Sequence, residues 1–556
     1  MAFRPLRRLR QLRRSRVIVT VLAKYGLQDL FSALRTSRRR RRALLEGQIE
    51  GTRAVRLTHA LEELGPTFIK LGQLLSVRPD LIPPEYAQAL ASLQDAVQPV
   101  PFSEIEQVLQ AELGPDWPER LPQLEREPIA SASIAQVHRA RTPQGQEVAV
   151  KVQRPRIRQI IAADLEILED LAELLARRLS EGELYDPVGM VQEFERTIRR
   201  ELDFEEEGHS MERFRQAFAG DPTVYIPQVY WELSSTRVLT LEYIHGIKIS
   251  ELEQLRGAGL DLSRIARRGA RLVLKQAFDL GFFHADPHPG NLLVLPQEVL
   301  ALLDFGMVGY LDRSLQEALG DLLIALIRRD AEGIIRVLVR LDLVERPSQA
   351  GPLRRDLTEL LARYWGLPLE QLSLDHWLND FLWVVRTHHL RLPAELVMMG
   401  KALTLMEGIG RRLDPSFVIV EQAKPYVRRL LRRRLNPLRQ REQLPQWLET
   451  LRDSTQLLQA APGDLRAILA QIREGRLKIQ FEHRGLKRPL TELDRSSNRL
   501  SLGLITAALI LGSSWVLQSG QGPRLWGLPA VGLVGFALAA ILTLRLLWAI
   551  WRSGRL

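Results

Sequence analysis

Apolar residues recur at three- and four-residue intervals along most of this 556-residue chain and give way to alternation only in a central stretch. The spacing predicts amphipathic helices over Ala43–Leu64 and Thr67–Val77, hinged at Gly65-Pro66, and further helices over Glu85–Asp95 and Ser103–Leu113. Arg78-Pro79 and Pro83-Pro84 interrupt the series, because proline lacks the donor that a helix interior needs. Ser103 is the expected N-cap of the last helix, with Glu106 at the capping-box position. No strand is expected through residue 120. After Pro128, Ala135–Arg141, Glu147–Gln153 and Arg237–Tyr243 are β-branched or alternating and predict strands, the first two joined by a turn at Thr142-Pro-Gln-Gly145. Two charged helices, Ile157–Ser180 and Pro187–Phe218, follow the second strand. Leu262–Leu280 is another amphipathic helix, and Arg313 to Arg434 is helical almost throughout.

The C-terminal pattern is of another kind. Leu500–Leu517 carries no charge in eighteen residues, and Leu525–Leu544 is again uncharged after the turn-rich QSGQGPR. At about 1.5 Å per residue each run approaches the ~30 Å hydrocarbon thickness of a bilayer. Apolarity on every face argues against a buried soluble helix pair. A transmembrane hairpin is expected, with small residues at Gly503/Ala507 and Ala508/Gly512 for close packing. Lys487, Arg488, Arg495 and Arg499 precede it, Arg545, Arg552 and Arg555 follow it, and the link holds only Arg524. The positive-inside rule then puts the body on the cytoplasmic face, with Trp515, Trp526, Trp548 and Trp551 as interfacial anchors.

Composition, 46% hydrophobic and 26% charged, excludes a wholly disordered or fibrous chain. The absence of cysteine excludes disulfides, Cys-based zinc or iron–sulfur sites and a thiol nucleophile. The net charge of +11 is local: residues 1–42 hold thirteen arginines and Lys24 against Asp29, so the remaining 514 residues carry −2. Phe3, Leu6, Leu9, Leu12, Val17 and Val19 are interspersed with those arginines, giving a basic amphipathic arm that suits an anionic lipid surface. A solvated tail is the alternative. Nucleic acid is not an expected partner, because the body offers no basic domain to complement the arm. Val17–Ala23 is too short and too weakly apolar for a cleavable signal.

The chemistry is concentrated in His284-Ala-Asp286-Pro-His-Pro-Gly-Asn291, followed by an apolar strand pair and Asp304-Phe305-Gly306. Kinase catalytic loops place an Asp and an Asn five apart and then a DFG whose Asp binds Mg²⁺. In that pattern Asp286 orients or deprotonates the acceptor, and Asn291 and Asp304 hold the metal. A transition-metal reading of His284, Asp286 and His288 leaves Asn291 and the DFG unexplained. Val148-Ala149-Val150-Lys151 matches the strand whose lysine pairs the α- and β-phosphates of ATP. Where a glycine-rich phosphate loop belongs stands Ala130-Ser131-Ala132-Ser133, which predicts a stiffer loop, since alanine does not adopt positive φ cheaply. Leu239–Ile244, with Glu242 and Ile244, is the expected strand and adenine hinge. The chain enters Leu311–Arg328 soon after the DFG, leaving no APE and no long activation segment on which a peptide could dock.

With these motifs the sequence resembles the UbiB/ADCK (AarF-domain) family of atypical kinases over about residues 50–430. The family's KxGQ is present as Lys70-Leu-Gly72-Gln73, its alanine-rich loop as Ala130–Ser133 with Ser131 in place of the commoner alanine, and its ExD as Glu201-Leu-Asp203. The resemblance implies that Lys70, Gly72 and Gln73 lie on a helix folded over the active site against Glu201 and Asp203, a regulatory role, and that Glu207 partners Lys151. Without it Lys70 reads as a surface residue and Glu201–Glu207 as a solvated acidic face. It implies an α+β, protein-kinase-like bilobal fold with a helical KxGQ extension ahead of it and the transmembrane hairpin behind. The expected divisions are an arm at 1–42, a helical extension at 43–125, an N-lobe at 126–245, a C-lobe at 246–434, a basic helical linker at 435–497 and two membrane helices at 498–551.

ATP and Mg²⁺ are the implied cofactors. Membrane lipid, isoprenoid quinone precursors and quinone-biosynthesis enzymes are the implied partners, with a homodimer allowed. The implied activity is an ATPase or phosphotransferase supporting isoprenoid quinone biosynthesis. A pseudokinase scaffold and a small-molecule phosphotransferase are the alternatives. The hairpin and the KxGQ segment weigh against the latter.

Overall fold

The computed structural model describes residues 4–27, 52–76, 78, 82–93, 97–176, 186–328, 330–344, 347–364, 373–390, 392–435, 487–519, 523–525 and 528–553. It falls into two units, Met1–Arg439 and Gln440–Leu556.

The first unit is built around a four-stranded antiparallel sheet in the order β1 (Ala130–Ser131), β2 (Ala135–Arg141), β3 (Glu147–Gln153) and β5 (Val238–Glu242). Alternation sorts β3 onto two faces. Val148, Val150 and Val152 are buried together with Ile105, Val108 and Leu109 of the Phe102–Leu113 helix. Ala149 and Lys151 point the other way, and Lys151 meets the Phe204–Phe218 helix. The β2–β3 turn closes through the Gly145 N–H on the Thr142 carbonyl, with Gly145 at φ +83°, a conformation glycine takes at little cost. The Phe102–Leu113 helix starts one residue earlier than expected, after Pro101, so Ser103 lies inside its first turn and no side chain caps it.

A second sheet runs β4 (Val224–Tyr225), β9 (Val299–Leu302), β8 (Leu292–Leu295), β6 (Ile247–Lys248). Below it, the helices Leu262–Lys275, Arg313–Arg328, Ala331–Arg340, Pro347–Arg363, Leu374–Thr387, Ala394–Leu413 and Ile419–Leu435 share one core. Leu262–Lys275 and Ala394–Leu413 pack closely: a Cβ on Gly269 would stand 2.6 Å from the Met406 sulfur.

The expected single helix over Pro187–Phe218 is two helices, Pro187–Glu201 and Phe204–Phe218. The Leu202 carbonyl accepts from Gln153 Nε2 (2.9 Å) and Arg158 (2.8 Å), and Asp203 caps the second helix by accepting from the Glu205 N–H. Those bonds replace the helical ones and break the run at the ExD motif.

The N-terminal helix Arg4–Lys24 gives one of its faces to the protein core. Its Ile18, Val21 and Leu22 are buried against Leu61, Leu64 and Phe68, while Val17 and Val19 stay exposed. Arg14 donates to both oxygens of the fully buried Asp164 (2.7 and 2.9 Å) and to the Leu64 carbonyl (2.7 Å). The Thr67 hydroxyl donates to the same carboxylate at 2.6 Å. Residues 14–22 are therefore part of the protein core, because a buried carboxylate needs a charged partner.

In the second unit the helices Lys487–Ser519 and Ala530–Ser553 pack against each other. Leu500–Gln518, 19 residues of mean hydropathy 1.9, is long and apolar enough to cross a membrane, whereas Ala530–Arg545 is shorter. The second helix begins at Ala530, not near Leu525, since Pro529 keeps the residue before it out of helical conformation. The expected packing faces also change. Space within 4 Å of Gly503 and Gly512 is open, and the close approach is made by Gly532 against Leu517 and Gly535 against Ser513. Most of the expected basic helical linker, residues 436–486, lies outside the described residues.

Candidate active site

Two strand pairings bring the distant motifs together. β7 (Phe282–His284) and β10 (Val308–Tyr310) pair with His284 opposite Val308, and the Ala285 N–H donates to the Met307 carbonyl. The β8–β9 hairpin returns the chain so that the Leu303 N–H donates to the Asn291 carbonyl. Asp304 thus follows directly on a residue bonded to Asn291, and Asp286 starts from the strand paired with the segment after Gly306.

His284 ties these loops. It is buried, its Nδ1 accepts from the Asp286 N–H at 3.2 Å, and the ring bonds to the main chain of Asp304. Burial lowers its pKa, which fits a neutral imidazole with one donor and one acceptor nitrogen. Gln276, in a π turn at the end of Leu262–Lys275, accepts from the His284 N–H at 3.0 Å. The transition-metal alternative gains no support from the side chains. His284 Nδ1 is engaged, His288 Nδ1 accepts from the Gly290 N–H, and the described residues hold no group of three metal-ligating side chains from His, Cys, Asp or Glu.

Across the cleft, Lys151 donates to both oxygens of Glu207 at 2.8 Å and stands 3.7 Å from Asp304 Oδ2, with its ammonium 5.2 Å from the Phe204 ring centre. Burial opposes the Lys151 charge, but Asp304 and Glu207 more than restore it and raise the pKa. Burial pushes the buried Glu207 up, and Lys151 pulls it back. Burial would also lift Asp304, yet the Lys151 ammonium, the Gly306 N–H and Lys70 outweigh it and hold the carboxyl at about 2. Its side chain remains 45% exposed. Asp286 is exposed and Asn291 half-buried.

Lys70, on the Pro66–Ser76 helix, pairs with Glu201. Glu201 in turn abuts the Asp304–Gly306 turn, where a Cβ on Gly306 would lie 3.2 Å from Asp304 Oδ1 and 3.8 Å from Glu201 Cγ. Gln73 donates to the Leu93 carbonyl, Asp203 is a helix cap, and Gly72 lets its helix close on Leu61, Leu90 and Leu93. Gly65, at φ +95°, makes the turn that aims this helix.

The alanine-rich segment is the edge strand β1 and a tight turn, with the Ala132 N–H donating to the Ala135 carbonyl. Ala130 is exposed and Ser133 buried. Arg154, which the motif reading missed, pins the segment: it donates to the Ala132 carbonyl (2.8 Å), Ser131 Oγ (2.8 Å) and the Gln98 carbonyl (2.9 Å). At the expected hinge the Glu242 carboxylate accepts from Tyr225 (2.7 Å) and the Gln228 N–H, and burial together with that carboxylate pushes the Tyr225 phenol up to about 12. The Ile244 N–H makes no main-chain hydrogen bond among the described residues.

The chain matches the ABC1 atypical kinase-like domain over residues 92–338, the UbiB helical domain over 357–418 and the ABC1/UbiB kinase-like C-terminal domain over 484–552. It is 32% identical over 504 residues to the uncharacterized protein in hydrogenase 1 5'region of Clostridium pasteurianum, covering 90% of this chain and 93% of that one. It is 34% identical over 425 residues to the probable protein kinase UbiB of Marinobacter nauticus, covering 75% and 78%. Among solved structures, the Rv3197–erythromycin complex from Mycobacterium tuberculosis aligns with TM-score 0.46 and 27% identity, covering 67% of this chain and 94% of that one. The chain belongs to the ABC1/UbiB family of atypical kinase-like proteins.

Proposed function

We propose that this protein is a membrane-anchored ATPase or phosphotransferase that binds ATP with Mg²⁺ and supports isoprenoid quinone biosynthesis by handling lipid precursors. The observation that carries the reading is the Lys151–Glu207 pair standing 3.7 Å from a half-exposed Asp304 carboxylate held at about 2. Lys151 stays protonated and can hold phosphate oxygens, while Glu207 fixes its position. Asp304 stays ionised, and with the amide oxygen of Asn291 it forms an all-oxygen donor set of the kind Mg²⁺ takes together with water and phosphate. Magnesium, when bound, would neutralise charge on the phosphates. Asp286, fixed through its main chain by His284, would orient the accepting hydroxyl or water. Ile244 offers an N–H for adenine, and the segment pinned by Arg154 lines the phosphates.

Protein phosphorylation is the less favoured activity. Helix Arg313–Arg328 begins seven residues after Gly306, and Lys70 pairs with Glu201 beside that turn. Membrane attachment is supported by the second unit, where Leu504, Leu511, Trp515, Ile541 and Leu544 are exposed on a paired-helix surface with no charge between Leu500 and Leu517. With both flanks basic, we place the body on the cytoplasmic side.

The test is a thermal shift of full-length protein with ATP, with and without Mg²⁺, beside Asp304→Asn. The reading requires a Mg²⁺-dependent stabilisation that the variant loses; equal shifts in the two proteins would reject it. The quinone profile of cells lacking the protein then tests the pathway, and an unchanged profile would reject the biosynthetic role.

A further inference from the structure

The Pro66–Ser76 helix has two working sides. Lys70 reaches Glu201, whereas Leu71 and Leu75, one turn apart and followed by Arg78, lie on a neighbouring stripe. This stripe does not close against the helices facing it. It borders a cavity of about 170 Å³, with Leu171 and Leu175 of the Ile157–Ala176 helix on one side and Met190 and Val191 of the Pro187–Glu201 helix on the other. All six side chains are half-buried. The opening is not general looseness, because the same three helices pack tightly elsewhere through the buried Phe68, Ile161, Leu165, Phe194 and Ile198.

The polar feature of the rim is the ion pair of Arg78 with Glu193, at 2.6 Å. Water finds almost no partners along the rest of the wall. An apolar pocket of roughly this volume can take up a small hydrocarbon such as benzene. The chemistry that fits is an uncharged hydrocarbon group of roughly six to eight carbons, a ring or a short branched chain. A hydroxyl on such a molecule would meet the Arg78–Glu193 pair at the mouth.

We propose that this cavity is a binding site for the hydrocarbon end of an uncharged, hydroxyl-bearing amphiphile, seated behind the helix that carries Lys70. The site deepens the lipid-handling reading but does not depend on nucleotide, so the two can fail separately.

The probe is 1-hexanol, titrated into the full-length protein in lipid nanodiscs labelled at its methionine methyl groups. The chain has seven methionines, and Met190 is assigned by its loss in Met190→Leu. The expected result is a saturable shift of the Met190 signal while the other methionines stay in place. Leu171→Phe, which fills the cavity, should abolish the shift, and Leu75→Gln, at a half-buried position, should weaken binding at least threefold. A shift that is linear in hexanol and common to all methionines overturns the proposal, as does an unchanged titration in Leu171→Phe. If Leu171→Phe does not fold, an unchanged titration in folded Leu75→Gln overturns it equally.

Discussion

Replacing Arg14 with alanine removes the charged partner of a carboxylate that water does not reach. Asp164 is fully buried and accepts two bonds from Arg14, of 2.7 and 2.9 Å, plus one from Thr67 of 2.6 Å. Breaking one side of a buried ion pair costs about 3–5 kcal/mol, because the remaining charge is left uncompensated. Arg14 is itself 24% exposed, so water can enter its place, and the lower end, about 3 kcal/mol, is the expected loss. The Leu64 carbonyl loses a partner in the same step. The damage should be local, at the junction of the N-terminal helix with the Arg53–Leu64 and Pro66–Ser76 helices. Hydrogen exchange on the full chain should therefore show amides in 53–76 opening about a hundredfold faster, while those of the Leu262–Lys275 helix are unchanged. Asp164→Asn combined with Arg14→Ala removes the orphaned charge and should recover at least half of the loss. Unchanged exchange in Arg14→Ala, or no recovery in the double variant, would refute the argument.

Lys151→Met should lower the unfolding midpoint by stranding the buried Glu207; adding Glu207→Gln should restore stability but not ATP-dependent thermal stabilisation, which separates the structural from the binding role. Asp304 has a folded pKa of about 2 against an unfolded value of about 3.9, so its stabilising contribution is complete above about pH 4 and is lost as pH falls toward 2. Unfolding midpoints between pH 5 and pH 2 should accordingly fall less steeply in Asp304→Asn than in wild type, and parallel profiles would contradict the assignment. Gly535→Leu places a side chain where Ser513 already stands and should separate the two C-terminal helices, read as loss of cross-linking between cysteines introduced at Leu517 and Gly532.

How far each feature could be read from the sequence follows from the range of the interaction behind it. The side of the sheet on which Lys151 lies follows from two-residue alternation in Glu147–Gln153, and the β8–β9 hairpin follows from two short apolar runs within one segment. The break at Leu202 was not legible. It depends on Gln153 and Arg158, 49 and 44 residues away, taking the carbonyl a helix would have used. Arg154 carried no motif signal, and its hold on the alanine-rich segment exists only because β1 and β2 fold back over it. The Gly503 and Gly512 expectation failed for a related reason. Small residues mark faces able to pack closely, but the rotation of one helix on the other decides which small residues are used.

The local sequence by itself determined the alternating strands, the amphipathic helices, the apolar C-terminal runs and the Asp–Asn and DFG spacings, since each is set by neighbours within a turn or a strand. Only the tertiary structure decided that Gln73 bonds the Leu93 carbonyl and Asp203 caps a helix while Lys70 pairs with Glu201, that Asp164 draws Arg14 into the core, and that three helices part around an apolar cavity. Those outcomes rest on burial and on charges brought together across up to 150 residues, where desolvation makes an unpaired group costly and so selects the partner.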